Sequence, residues 1–324
     1  LYSNCKVSAP ITKEPCNSHA TKMPKNVANT AQSGFFRDDF VGVAKTLKAA
    51  LNVPVLCTLA GEDAFLDAIP DPYRDRAFEL IHRRANDVDG FIAPTRYYAA
   101  RAVEHFGLDQ ARVHYVPMGI RIDDVGQPAD PPRDPFTIGY LAGICPEKGL
   151  AALCEAFKLL TRGPRPCRLR IAGYVGAVGR KYWAEIRRGL RRQGLLEAVD
   201  FLGEVTRAEK LSFLRSLHVL SVPTVHPEPK GFYILEAMAS GVPVVQPRHG
   251  SFPELVDATG GGQLYDPPNP QALADAIAGL MENETLRKRL AADGRAAVRG
   301  NFSDDVMAEK TWSLYEQFSG GSDV

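Results

Sequence analysis

HPEPKGFYILEAMASGVPVV occupies residues 226–245. Its middle is apolar at Phe232, Tyr233, Ile234, Leu235, Ala237, Met238 and Ala239, and one carboxylate, Glu236, interrupts it. A second carboxylate, Glu228, stands eight positions earlier, between Pro227 and Pro229. Gly231 and Gly241 bracket the apolar run and Pro243 forbids its continuation. The spacing therefore predicts a helix of about ten residues, roughly 15 Å long. HVLSVPT (218–224) before it and VPVVQP (242–247) after it read as buried strands. Strand, loop, helix and strand in that order form the repeating unit of a parallel sheet. A helix that is apolar nearly all round is wedged between the sheet and the rest of its domain, and Glu236 marks its one cleft-facing side.

The same alternation extends outward in both directions. FTIGYLAG (136–143), CRLRIAG (167–173) and VDFLGEV (199–205) read as strands. The helix faces between them are marked by Leu150, Leu153, Phe157 and Leu160, then by Trp183, Ile186 and Leu190. Thr206-Arg207-Ala208-Glu209 is a capping box that opens another helix. Asn269-Pro270 starts the closing helices, and the last, about 303–318, carries Trp312, Tyr315 and Phe318 on one side.

Upstream, RIDDVGQPADPPRDP (121–135) is rich in Pro and Asp and reads as a linker. Before it the pattern repeats. Phe40, Ala44, Leu47 and Leu51 form a helix face that Asn52 stops. VPVLCTL (53–59), GFIAP (90–94) and VHYVP (113–117) read as strands. Asp71-Pro72 starts a helix with Pro at its first position, and Thr95 caps another that ends at Gly107. Residues 1–35 have neither period and read as an irregular or disordered segment.

The expected architecture is α/β: two doubly wound, Rossmann-like domains in series, facing a cleft. A partial N-terminal domain covers 36–128, a C-terminal domain covers 129–302, and 303–324 forms a final helix and tail. Ligands of such sheets bind outside the carboxyl ends of the strands.

Bulk properties exclude other classes. A net charge of +1 gives no pull toward nucleic acid or anionic membrane. No apolar run approaches the roughly 20 residues a membrane span needs. No signal-peptide pattern is visible, although the chain begins at Leu1. Six scattered cysteines lack metal-ligand spacing and read as reduced thiols of a cytosolic protein.

The chemistry gathers at strand ends. The loop 225–231 leads into the helix at Gly231, and the amides of Gly231, Phe232 and Tyr233 can face a phosphate. Glu236 can accept hydrogen bonds from two neighbouring hydroxyls, as a ribose offers. Gly143 ends a strand and Lys148 follows, a point charge suited to a diphosphate. Taken singly, each has an ordinary alternative: a solvated loop carboxylate for Glu228, an edge carboxylate for Glu236, a solvated helix-start lysine for Lys148. Their placement together weakens those alternatives.

VPTVHPEPKGFYILEAMASGVPVV resembles the paired-glutamate segment of retaining glycosyltransferases of the family 4 type, which have the GT-B fold. AGICPEKG, HGSFPELVDATGGGQLYDPPNPQALADAI with its Glu254, and VHYVPMGIRID resemble further segments of that family. The resemblance implies that Glu228 lies against the donor sugar as the catalytic residue and that Glu236 binds the nucleotide ribose. It gives Lys148 and the amides around Gly231 to Tyr233 the diphosphate, and the backbone near Val205 the base. It implies a nucleotide-diphosphate sugar as donor, an unidentified acceptor (saccharide, lipid-linked or small molecule), no essential divalent metal and no other cofactor. The final helix would cross back to the N-terminal domain.

Three positions depart from the family's pattern. Ile144 replaces an arginine, Lys230 stands where phenylalanine is common and is a candidate substitute cation, and Ala60 replaces a histidine near the donor sugar. The family's opening strand and Gly-rich loop are absent. The alternatives carried forward are an inactive sugar-nucleotide-binding protein and a GT-B-fold epimerase or phosphorylase. The basic set Arg180, Lys181, Arg187, Arg188, Arg191 and Arg192 reads as a solvated helix face, with peripheral contact at the inner face of a membrane as the second reading. His226 lies near the site in sequence and is read as structural, and Cys145, next to Lys148, is a minor candidate for lining the phosphate site.

Overall fold

The computed structural model describes residues 36–37, 43–128 and 131–319. The segment 1–35, expected to be irregular, and Phe40 of the first helix face lie outside the described residues.

Two parallel sheets carry the fold. The N-terminal sheet contains β1 (Phe36–Arg37), β2 (Leu56–Thr58), β3 (Gly90–Ala93) and β4 (Val113–Tyr115), in spatial order 1-2-3-4. Its helices are α1 (Ala44–Leu51), α2 (Asp63–Asp67), α3 (Tyr73–Ala85) and α4 (Arg96–Phe106). Val55, Cys57, Phe91, Ala93, Tyr98, Ala102 and Phe106 form its core. Thr95 caps α4 by accepting from the Tyr98 amide, and Gly107 ends it in the left-handed region, as expected.

The C-terminal sheet has six strands. They are β5 (Phe136–Leu141), β6 (Cys167–Ala172), β7 (Val199–Gly203), β8 (Val219–Leu220), β9 (Val244–Pro247) and β10 (Gly262–Tyr265). Their spatial order is 10-9-8-5-6-7, so the winding reverses between β5 and β8. The chain reaches β5 first, builds outward to β7, then returns to β8 and builds the other way. The chain connections that follow β5 and β8 therefore head to opposite sides of this point, which is where such sheets form a ligand crevice. Helices α5 (Leu150–Leu160), α6 (Ala177–Arg192), α7 (Arg207–Arg215), α8 (Phe232–Ala239), α9 (Phe252–Thr259), α10 (Pro270–Glu282) and α11 (Glu284–Asn301) complete this half.

The last helix, α12 (Asp304–Ser319), returns to the N-terminal sheet. Met307, Leu314, Tyr315 and Phe318 pack there on Leu56, Ile92 and Val116. Trp312 does not join that face as expected; its indole donates to Glu316 at 2.8 Å on the outer side. Full burial of a side chain such as Leu314 contributes roughly 1.5–3 kcal/mol, and the half-buried Met307 and Phe318 contribute less.

Other departures are local. Pro72 is the N-cap of α3 rather than its first helical residue. Leu51 is half exposed although it shares the periodic face of α1. α2 and β10 were not expected: α2 is five residues long and shows no period, and β10 begins in a Gly-rich turn. α8 has eight residues, not ten, because Ser240 already caps it.

Candidate active site

Lys148 and Glu228 meet at the reversal of the sheet. Lys148 ends the single 3₁₀ turn (Pro146–Lys148) that follows β5. Gly149 then turns with φ +71°, and a Cβ there would lie 1.7 Å from the Pro223 carbonyl oxygen. That close approach lets the loops after β5 and β8 converge. Their charged side chains pair, with Lys148 Nζ 2.6 Å from Glu228 Oε2.

Glu228 is buried, 6% exposed, and several donors hold it. Tyr233 donates its hydroxyl to Oε2 at 2.9 Å, and the amides of Lys230 and Gly231 reach Oε1 at 3.3 Å each. Burial is the largest influence on its carboxyl and pushes its pKa up. The charge and hydrogen bond of Lys148, the Tyr233 hydroxyl and the Gly231 amide together outweigh that, and the pKa lies below the ordinary 4.5. The Tyr233 phenol is pushed well above its usual value, first by burial and then by the neighbouring carboxylate. Lys148 Nζ also lies 5.7 Å from the centre of the Tyr233 ring.

The expectation for the helix amides changes at one position. The Gly231 amide turns to Glu228 instead of facing outward, because Gly231 is an N-cap at φ +72°. The amides of Phe232 and Tyr233, in the first turn of α8, have no acceptor among the described residues. Phe232 itself is 43% exposed at the crevice. Gly143 faces open space, with nothing within 4 Å of where a Cβ would stand. Ile144, in the place of the expected arginine, is a core residue, 2% exposed. Lys230 is half-buried beside the site, Val205 is half-buried after β7, and His226 is exposed.

Glu236 sits differently from the expectation of an open carboxylate. Its Oε1 takes Lys210 Nζ at 2.5 Å and Arg207 Nη1 at 3.1 Å. Its Oε2 has no partner among the described residues, and the side chain is 16% exposed. Arg207 also pairs with Asp124 at 2.8 Å and donates to the Arg121 carbonyl, so it fastens the linker to α8. Hydrogen bonds from Arg207 and Arg121 hold the Asp124 carboxyl well below the usual carboxylate range. The sequence reading missed Arg207 and Lys210. Their signal was two cations three positions apart in the first turn of a helix that starts at a strand end.

The N-terminal half closes the other side of the crevice. Thr95 donates its hydroxyl to the Pro229 carbonyl at 2.9 Å, and Glu254 on α9 accepts from the amides of Arg96 and Tyr97 at 2.9 Å each. Among the described residues no cluster of three or more His, Cys, Asp or Glu side chains is arranged to hold a metal ion. No helix among them is long and apolar enough to cross a membrane.

Known proteins resemble the chain in sequence and in fold. Glycosyltransferase Family 4 matches residues 35–124 and Glycosyl transferases group 1 matches residues 124–297. The phosphatidyl-myo-inositol mannosyltransferase of Mycobacterium tuberculosis is 34% identical over 215 residues, which are 63% of this chain and 54% of that protein. The D-inositol 3-phosphate glycosyltransferase of Xylanimonas cellulosilytica is 31% identical over 244 residues, 71% of this chain and 57% of that one. The chain thus spans about half the length of the curated relatives it matches. Among solved structures, Anabaena HepE in complex with UDP superposes with a TM-score of 0.76 at 20% identity, over 90% of this chain and 82% of that one. Sucrose-phosphate synthase from Thermosynechococcus elongatus gives 0.74 at 19% identity, over 92% and 78%. The fold is GT-B, and the chain belongs to the glycosyl transferases group 1 family.

Proposed function

We propose that the protein is a retaining glycosyltransferase that moves a sugar from a nucleotide-diphosphate sugar to an acceptor hydroxyl. The observation that carries this reading is the Lys148–Glu228 pair at the sheet's reversal, beside two first-turn amides of α8 that have no acceptor among the described residues. That combination offers a positive field for a diphosphate and a carboxylate beside the sugar attached to it.

On this reading, the Phe232 and Tyr233 amides and Lys148 hold the diphosphate, with Gly143 leaving room for it. Negative charge grows on that group as its bond to the anomeric carbon breaks, and the lysine and the helix dipole stabilise it. No essential divalent metal is needed for that step, and activity should persist in EDTA. Glu228 lies against the sugar. Its dense set of donors holds it ionised, so it can stabilise positive charge developing at the anomeric carbon. Glu236 offers its open Oε2 to a ribose hydroxyl, the backbone at Val205 meets the base, and Lys230 adds a second cation near the phosphates.

HepE was solved with UDP and with UDP-glucose, so uridine nucleotides come first in any panel. The names of the inositol-directed relatives make an inositol-bearing or lipid-linked acceptor the first to try. The free thiols of Cys57, Cys145, Cys154 and Cys167 suit a cytoplasmic location, and the basic outer face of α6 suits contact with the inner surface of a membrane.

The test is a panel of UDP- and GDP-sugars, read by thermal shift, by donor hydrolysis and by transfer to inositol-containing acceptors, with the anomeric product assigned by NMR. Transfer with retention supports the reading. Nucleotide binding with neither hydrolysis nor transfer assigns the chain to sugar-nucleotide binding alone, and inversion overturns retention.

A further inference from the structure

Three contacts join the N-terminal half to the Glu228 loop and to α9 beside it. The Thr95 hydroxyl donates to the carbonyl of Pro229, the residue after Glu228. Gly61, at φ +94°, lies so close that a Cβ there would be 2.6 Å from Pro229 Cγ. Glu254, in the first turn of α9, sends both carboxylate oxygens across the cleft to the Arg96 and Tyr97 amides.

Those amides are the unsatisfied donors at the start of α4, so a carboxylate there also meets the positive end of the helix. The receiving side is itself braced. Asp63 of α2 accepts from the Tyr98 hydroxyl at 3.1 Å and from Arg101 Nε at 3.3 Å. The Arg96 guanidinium lies 4.5 Å from the centre of the Tyr115 ring. On the opposite side, the Ser251 amide donates to the Glu228 carbonyl at 2.8 Å and joins the start of α9 to the Glu228 loop. A rigid lip of one half is thereby fastened to the loop and helix of the other that flank Glu228.

We propose that Glu254 and Thr95 are positioning residues forming an interdomain clasp. The clasp holds the acceptor-side half against the Glu228 loop and is required for transfer but not for nucleotide binding. The assignment of roles to the two halves rests on the function proposed above; the clasp itself rests on the contacts alone. A carboxylate on two amides and a hydroxyl on a carbonyl are single, separable links, so the halves can part without disturbing either core. Closure brings the acceptor hydroxyl to the sugar, and loss of such alignment costs turnover rather than donor affinity.

The test uses the full chain and two substitutions. Glu254→Gln removes the charge and one of the two acceptors. Thr95→Asp keeps an acceptor for the Tyr98 amide, hence the α4 cap, and removes the donor to Pro229. Small-angle X-ray scattering should give a larger radius of gyration for both variants than for the wild type, and an unchanged radius in both overturns the clasp. Transfer kcat should fall about 10- to 100-fold, with UDP affinity by calorimetry within about twofold of wild type. A UDP affinity that falls in step with kcat overturns the positioning role and puts Glu254 in the donor site. If the wild type transfers no sugar, the functional reading fails, and scattering alone decides the clasp.

Discussion

The two glutamates, Glu228 in the loop before α8 and Glu236 within α8, share a sequence segment and differ in almost everything else. Glu228 is enclosed, faces one ammonium group and takes three further donors from a tyrosine hydroxyl and two amides. Glu236 is nearer the solvent, carries two cations on one oxygen and leaves the other without a partner among the described residues. A carboxylate saturated by neutral donors and one charge is fixed in place and ionised, and suits a role in which its position relative to a reacting carbon matters. A carboxylate with a spare lone pair at the crevice edge suits a ligand that supplies a donor of its own. The depth of each group, set by the sheet's reversal and the length of α8, separates their surroundings.

The sharpest way to break this comparison is Glu228→Gln. It keeps the shape and removes the charge, and transfer should fall roughly 100- to 1,000-fold, with UDP affinity changed by less than about threefold; steady-state kinetics beside calorimetry reads both. Equal losses in the two would mean that the two glutamates do one job. Lys148→Ala should come next. It leaves a buried carboxylate without its cation, and urea denaturation should show a loss of about 2 kcal/mol. A stable variant would show that the neutral donors alone hold Glu228.

Glu236→Gln should weaken UDP binding about tenfold, or about 1.4 kcal/mol, and leave kcat at saturating donor little changed. No change in calorimetric affinity would remove the ribose from Oε2. The smallest effect concerns acid. The folded pKa of Glu228 lies below its ordinary 4.5, so its contribution to stability is complete above that pH. It is lost as pH falls through the lower folded value, because the unfolded chain then binds the proton more readily. Denaturation midpoints should therefore drop below about pH 4.5 more steeply in the wild type than in Glu228→Gln. Parallel profiles would place the shift elsewhere.

Much of the frame was legible because parallel strands buried on both faces are written as short apolar runs. Phe136 to Leu141 and Val244 to Pro247 are buried along their whole length and were readable as strands. The caps at Thr95, Thr206 and Asn269 were equally readable, since a cap is a local bargain between one side chain and the next turn. β10 was not, because three of its four residues are only half-buried and its apolar signal is weak. The outer side of α12 was misjudged at Trp312, since a helix face can be computed from spacing but its partner cannot.

The candidate site divides in the same way. The residue types and spacing of Glu228, Gly231 and Glu236 mark a loop and helix at a strand end, with two carboxylates and a helix start within one short segment; their reading as a sugar-nucleotide site rests on the family resemblance. The sequence alone also determined the alternating architecture. What it did not contain was the pairing across distance: Lys148 with Glu228 over 80 positions, Arg207 with Glu236 over 29, and Glu254 with the start of α4 over more than 150. These contacts arise only when the sheet reverses between β5 and β8 and the two halves close. A surface lysine and a helix-start arginine look the same in sequence wherever they end up, and only folding decides which charges meet and which amides are left open.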